Sequence, residues 1–290
     1  MRRFTVWLVL LLAFVVSSVA FSQTYRQTIE QTLGRTGTMQ GGVLVIEFPR
    51  SDLNVTVRGM AVQPEAGLTT ELHFQQVGSQ VLVTAEMVVL ASEIDPVIAQ
   101  LEKSGILVSA LHNHLTGETP QVYFLHAAGL CSANTVGTGL RDALKATATP
   151  MGPQPPVPPS TINWSAAQNN LGAAASPKSA NVAEFQIPLR QTVTLLGVKL
   201  LPGMDPATTI YMQAISGGRI AANGEIVCLA KEVNPAVRAL QQQGMMITGI
   251  HNHFIGETPP VYYIHFMAVG DQNQLSAGLR TVLNLTSARP

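Results

Sequence analysis

HNHLTGETPQVYFLH runs from His112 to His126 and HNHFIGETPPVYYIH from His251 to His265, so one phrase is written twice, 139 residues apart. Around it, Glu86 to Leu144 aligns with Glu225 to Leu283 without a gap. Identity concentrates in the phrase: 10 of its 15 positions agree, against 13 of the other 44. Copying alone would spread identity evenly, so something local constrains the phrase. Leu33-Gly34 matches Leu171-Gly172, and Arg50 matches Arg190, each at a slip of one residue, which extends the repeat over nearly all of the chain that follows the N-terminal segment. Between the copies lies ATPMGPQPPVPPST, whose six prolines from Pro150 to Pro159 read as an extended, semi-rigid connection. The expected organisation is a signal peptide over 1–22, repeat 1 over 23–147, a Pro-rich linker over 148–160 and repeat 2 over 161–290.

Each copy carries the same string of elements. Glu86 and Glu225 open apolar runs of strand length, and Asp95-Pro96 and Asn234-Pro235 place a capping side chain before a proline at a first helical position. Ile98 and Leu101, like Val237 and Leu240, follow helical spacing, and Gly105 and Gly244 stand where a left-handed cap would end the helix. Ile106 to His114 and Met245 to His253 read as strands, Gly117 to Pro120 as a turn, and Val122 to His126 as a returning strand. Gly139 to Leu144 and Gly278 to Leu283 suggest a closing helix. The expected fold is α+β: two tandem homologous repeats, each with a mostly antiparallel sheet and two or three helices.

Six of the chain's seven histidines fall in the phrase: His112, His114, His126, His251, His253 and His265. On a strand, residues i and i+2 share a face, so His112 and His114 can address one atom while His126 faces them from the returning strand. Three imidazoles so placed make a facial site with room for water or substrate, the arrangement of catalytic zinc. The bland alternative is a set of core or surface histidines, each needing its own hydrogen-bond partner. Glu86 and Glu225 are the candidate catalytic groups, either as a fourth ligand, as a general base, as an acceptor for an imidazole N–H, or as nothing more than solvated strand ends. Glu118 and Glu257 read as rim or turn residues. Arg50 and Arg190 read more readily as surface arginines than as anchors for an anion, and Tyr123 and Tyr262 as packing residues.

Together with LGRTG, PRSDL and EIDPV, the histidine phrase makes the chain resemble the LppY/LpqO family of exported bacterial proteins, a domain of unknown function, over nearly the whole length after the N-terminal segment. The resemblance implies no activity. Name-giving members look like lipoproteins, and no cysteine stands near the cleavage region here, so surface anchoring does not carry over. The acidic position ahead of the helix is often aspartate in such sequences and is glutamate here, at Glu86 and Glu225. The H-x-H pattern with a third histidine about a dozen residues on is also similar to the zinc site of acetolactate decarboxylase, at the level of a short pattern.

Composition narrows the rest. With 46% hydrophobic and 12% charged residues, and 17 basic against 17 acidic side chains, the chain is built for globular cores and shows no footprint for nucleic acid. Arg2 and Arg3, an apolar run and small residues near Ala20 and Ser22 read as a secretory signal, so the expected location is periplasmic or extracellular, with no stable membrane span after cleavage. Cys131 and Cys228 do not occupy equivalent positions of the repeat, and their pairing stays open. The expected function is an exported protein holding a divalent metal, zinc favoured, at a three-histidine site in each repeat. Its partner would be a small oxygenated substrate, with lyase or hydrolase chemistry, or an envelope component bound without catalysis.

Overall fold

The structure, a computed structural model, describes residues 25–204 and 206–288; the signal-peptide segment lies outside the described residues. Repeat 1 opens with a helix over 25–33 (α1). Strands β1 (Thr38–Gln40), β2 (Val43–Pro49), β5 (Thr69–Val77) and β6 (Gln80–Leu90) then meander, with the small hairpin β3 (Thr56–Val57) and β4 (Met60–Ala61) inserted. Helix α2 (Ile94–Lys103) crosses to β7 (Leu107–His112), and β8 (Glu118–Thr119), β9 (Val122–Cys131) and α3 (Ala133–Lys145) follow. Repeat 2 repeats the order from α4 (Ser165–Leu171) through β10 (Ser176–Pro177), β11 (Val182–Pro188), β12 (Thr194–Leu195), β13 (Val198–Lys199), β14 (Ala207–Ala214), β15 (Ile220–Leu229), α5 (Ala230–Gln242), β16 (Met246–His251), β17 (Val261–Gly270) and α6 (Gln272–Leu283).

Each repeat builds one six-stranded sheet, ordered β1-β2-β5-β6-β9-β7 and β10-β11-β14-β15-β17-β16, with every pairing antiparallel. The α+β reading therefore holds, with three helices per repeat. Because β9 is antiparallel to both β6 and β7, those two run parallel, and α2 is the crossover of a split β-α-β unit. The histidine strands do form a hairpin, and β9 is its inner arm.

Two local expectations need correction. Helix α2 follows a 3-10 turn over Ala91–Glu93, and α5 starts at Ala230 with Pro235 inside it, so neither helix begins at its proline. The buried carboxylates of Glu93 and Glu232 accept from the Leu90 and Leu229 N–H groups and fix the start about one turn earlier. Likewise Glu86 and Glu225 do not open their strands: β6 begins at Gln80 and β15 at Ile220, which puts both carboxylates in mid-strand. The helix ends are as expected. Gly105 (φ 73°) and Gly244 (φ 70°) are left-handed, and Ile106 N–H and Met245 N–H reach back to the Leu101 and Leu240 carbonyls.

Strand alternation explains how the halves meet. On β6, Val81, Val83, Ala85, Met87 and Val89 point into a core shared with α1, α2 and α3. Leu82 and Val88 point the other way, into clusters that mix the two repeats: Leu82 packs with Leu195, Leu200 and Tyr263, and Val88 with Met267 and Val182. Each sheet thus has a helix-covered face and a face turned toward the other half. The contacts across this interface are reciprocal. Gln75 bonds the Lys199 carbonyl and the Leu201 N–H, while Gln213, its equivalent, bonds the Ala61 carbonyl and the Gln63 N–H. Such mutual contacts define a pseudo-twofold axis between the repeats.

Candidate metal centre

The axis passes through the histidines. His112 ends β7 and His126 sits in mid-β9, where it pairs in register with Glu86 on one side and Ala110 on the other. His114 lies just past the strand end, held by stacking on Phe124 at 3.3 Å between ring centroids. The equivalents are His251 ending β16, His265 opposite Glu225 and Gly249, and His253 stacked on Tyr263 at 3.4 Å. Within repeat 1 the three imidazoles converge: His112, His114 and His126 each bring a ring nitrogen within 4.8 Å of the others'. His251, His253 and His265 do the same, with His112 joining them.

What the sequence alone does not disclose is that the two triads are one cluster. His112 stacks on His251 at 3.5 Å, His126 on His253 at 3.8 Å and His114 on His265 at 3.9 Å. Two further ligand groups arise only across the axis: Glu86 with His126 and His253, and Glu225 with His114 and His265. Glu225 Oε2 stands 3.4 Å from His253 Nε2 and 3.7 Å from His265 Nε2, and Glu86 Oε2 stands 3.7 Å from His126 Nε2. Ser109 donates to the His253 carbonyl and Thr248, its equivalent, to the His114 carbonyl, so each half fixes the other's middle histidine.

The electrostatics of the cluster match a cation. The Nε2 atoms of His112, His114, His126, His251 and His265 are buried and make no hydrogen bond. A buried polar atom left unmatched costs about 1–3 kcal/mol, so five side by side call for a shared partner. Nδ1 of His112 lies 3.4 Å from the Asn113 carbonyl and Nδ1 of His251 lies 3.2 Å from that of Asn252. A carbonyl only accepts, so each Nδ1 carries the proton and the Nε2 lone pair faces the cluster. Burial, then repulsion from His253, brings the His112 pKa down to about 3; burial, then His112 and His253, brings His251 down to about 2. Burial first and the neighbouring imidazoles next hold His114, His126 and His265 well below the ordinary value. Neutral imidazoles are the form that ligates a metal.

The other candidates separate clearly. Glu118 and Glu257 belong to none of these groups: Glu118 accepts from Asn113 at 3.4 Å, and buried Glu257 accepts from the Val261 N–H. Arg50 is no surface residue. It is fully buried, forked onto Asp52 and Glu93 and bonded to the Val88 carbonyl. Arg190 is exposed and lines a cavity of about 350 Å³ whose wall also includes His126, His253, Glu86 and Glu225. Tyr123 and Tyr262 pack on the helix side of their sheets. Cys131 and Cys228 are both free thiols. Ser109, Thr248, Phe124 and Tyr263, which position the rings, were not singled out from sequence, although a hydroxyl and an aromatic ring recur at the paired positions in both copies.

Fold and site together describe a duplicated α+β protein with one histidine cluster, capable of holding metal, shared by its two halves. The chain belongs to the family described as a Domain of Unknown Function (DUF1259), which matches residues 27–146 and 165–285, one copy per repeat. Among curated proteins none matches. Two solved structures are similar to it at low level. EtuB from Clostridium kluyveri shares 10% identity over 86% of this chain and 89% of its own, with a TM-score of 0.20. The trimeric bacterial microcompartment shell protein PduB shares 12% over 86% and 88%, also with a TM-score of 0.20. At that score neither likeness bears on fold or function. No helix among the described residues is long and apolar enough to cross a membrane.

Proposed function

We propose that this protein is an exported divalent-metal protein, zinc favoured, in which the histidines of both repeats and the carboxylates of Glu86 and Glu225 hold the cation. We keep the LppY/LpqO resemblance as our reading of its relatives. One observation carries the proposal: five buried Nε2 atoms without hydrogen bonds converge with two carboxylates at the pseudo-twofold axis. Nitrogen and oxygen donors in this mixture suit zinc and its neighbours. The N-terminal residues, with two arginines ahead of an apolar run, support export.

The cavity supports a small-molecule reaction over pure sequestration. A cation bound there would supply Lewis acidity toward a carbonyl or a water in the cavity. Glu86 and Glu225 are both on the cavity wall and both within 4 Å of an imidazole Nε2, and whichever of them does not ligate the cation would then move protons, giving lyase or hydrolase chemistry on a small oxygenated compound. Elemental analysis of the purified protein tests the metal. Bound zinc or a related cation is expected in the parent and is lost or sharply reduced in His112→Ala and His251→Ala. A parent that holds no metal after dialysis against zinc refutes the proposal.

A further inference from the structure

The pseudo-twofold axis demands two equivalent recesses beside the cluster, yet they differ. One is the cavity of about 350 Å³ at Glu86, His126 and His253; the other, at Glu225, His114 and His265, is about 40 Å³, room for little more than a water. Strand registers identify the cause. In repeat 1, Val45 pairs with His73 and His73 with Thr84; in repeat 2 the same row reads Glu184, Tyr211 and Asn223. One row along, Glu47, Glu71 and Glu86 correspond to Gln186, Thr209 and Glu225. On the edge strands, Gln40 corresponds to Lys178.

These substitutions fill the second recess. Lys178 Nζ, mostly buried, reaches Glu47 at 2.6 Å and Glu184 at 3.0 Å, and Tyr211 Oη donates to Glu71 at 3.0 Å. Burial acts against the Lys178 charge, but Glu184, Glu47 and Glu71 outweigh it and hold the ammonium charged, so the plug is an ion cluster and not a removable cap. Gly67 closes the gap: a side chain there would press on Asn223 and Tyr211 at 3.0 and 3.2 Å, and its φ of 91° also favours glycine. In the open recess the same positions carry Gln40, Val45 and His73, which leave the floor clear.

We propose that the duplicated centre takes one exogenous ligand, not two: a small hydroxylated oxygen-donor compound that enters only by the open recess and meets the cluster at Glu86, His126 and His253. In the second recess Tyr211 takes up the space, with Lys178 and Glu184 packed in the neighbouring strand positions, and leaves no room for such a compound. The ligand class follows from the wall. Carboxylates at Glu47, Glu71, Glu86 and Glu225 offer acceptors for hydroxyl protons and outnumber the cations Arg190 and Lys199 on the same wall, and a volume near 350 Å³ suits a compact molecule. This inference rests on the metal reading above.

The test uses cobalt-loaded protein and acetohydroxamate, an oxygen-donor probe, followed by visible absorption, with retained cobalt measured in the same samples. One probe equivalent per chain is expected. Transplanting the plug, Gln40→Lys with Val45→Glu and His73→Tyr, should weaken the response at least tenfold without loss of cobalt. Because Val45 is buried, the single His73→Tyr variant serves beside it and should weaken the response several-fold. Removing the plug, Lys178→Gln with Glu184→Val and Tyr211→His, should add a second equivalent. Two equivalents in the parent, or an unchanged response in folded, cobalt-retaining His73→Tyr protein, overturn the inference. Failure to take up cobalt at all refutes the metal reading, and this inference falls with it.

Discussion

Lowering the pH from 7.5 to 5.5 should unfold the metal-free protein far more readily than an ordinary domain of its size. Burial and neighbouring imidazoles hold His112, His114, His126, His251 and His265 below their usual range in the fold, His112 down to about 3 and His251 to about 2, so these last two stay neutral at pH 5.5. In the unfolded chain they titrate near 6.5 and bind protons across this interval. The unfolded state therefore takes up more protons, and stability falls as pH drops through 6.5. For His112 and His251 the loss between pH 7.5 and 5.5 is about 1.4 kcal/mol each, and His114, His126 and His265 add to it in the same direction, against a whole-domain stability of about 5–15 kcal/mol. Burial raises the Glu184 carboxyl, whose own proton uptake in the fold opposes the histidine effect, so the same titration on Glu184→Gln protein separates the two. The assay is urea unfolding at pH 7.5, 6.5 and 5.5 in excess chelator, read by circular dichroism. An unfolding midpoint that stays level across this range would show that the rings accept protons inside the fold, and the neutral cluster would be wrong.

Other perturbations have defined outcomes. Zinc at a hundredfold excess over its dissociation constant should raise the unfolding free energy at pH 7.5 by about 2.7 kcal/mol, and His126→Ala should abolish most of that gain in a thermal melt. Arg50→Ala should destabilise the fold by about 3–5 kcal/mol, because it strips Glu93 of its buried charge partner while leaving the metal content unchanged. Gln75→Ala and Gln213→Ala each delete two hydrogen bonds between the halves and should cost about 1–3 kcal/mol in denaturant titrations, nearly additively when combined.

Much of this was legible because the chain repeats itself. Identity concentrated in the histidine phrase separated a constrained site from a copied scaffold, and the His-x-His spacing with a returning strand sufficed to bring His112, His114 and His126 together. Glycine at Gly105 and Gly244 marked the helix ends because only a left-handed residue closes them. Helix starts were misread since Asp95-Pro96 and Asn234-Pro235 are strong local signals, whereas the carboxylates that set the start, Glu93 and Glu232, act through burial. Arg50 looked like a surface residue for the same reason: its partners Glu93 and Val88 lie about forty residues away. The joining of the two triads was invisible, because it depends on which sheet faces turn toward each other, and the alternation on β6 that decides this carries apolar residues on both sides.

The reciprocal grip of Ser109 and Thr248 on the opposing histidines has a consequence for ancestry. A single repeat standing alone would own half of a centre, and two copies of it would have to associate as a homodimer before Glu86 could meet His253. Joining the copies in one polypeptide released them from identical sequence, and the twofold-related mouths were then free to specialise, one as a doorway and one as a wall.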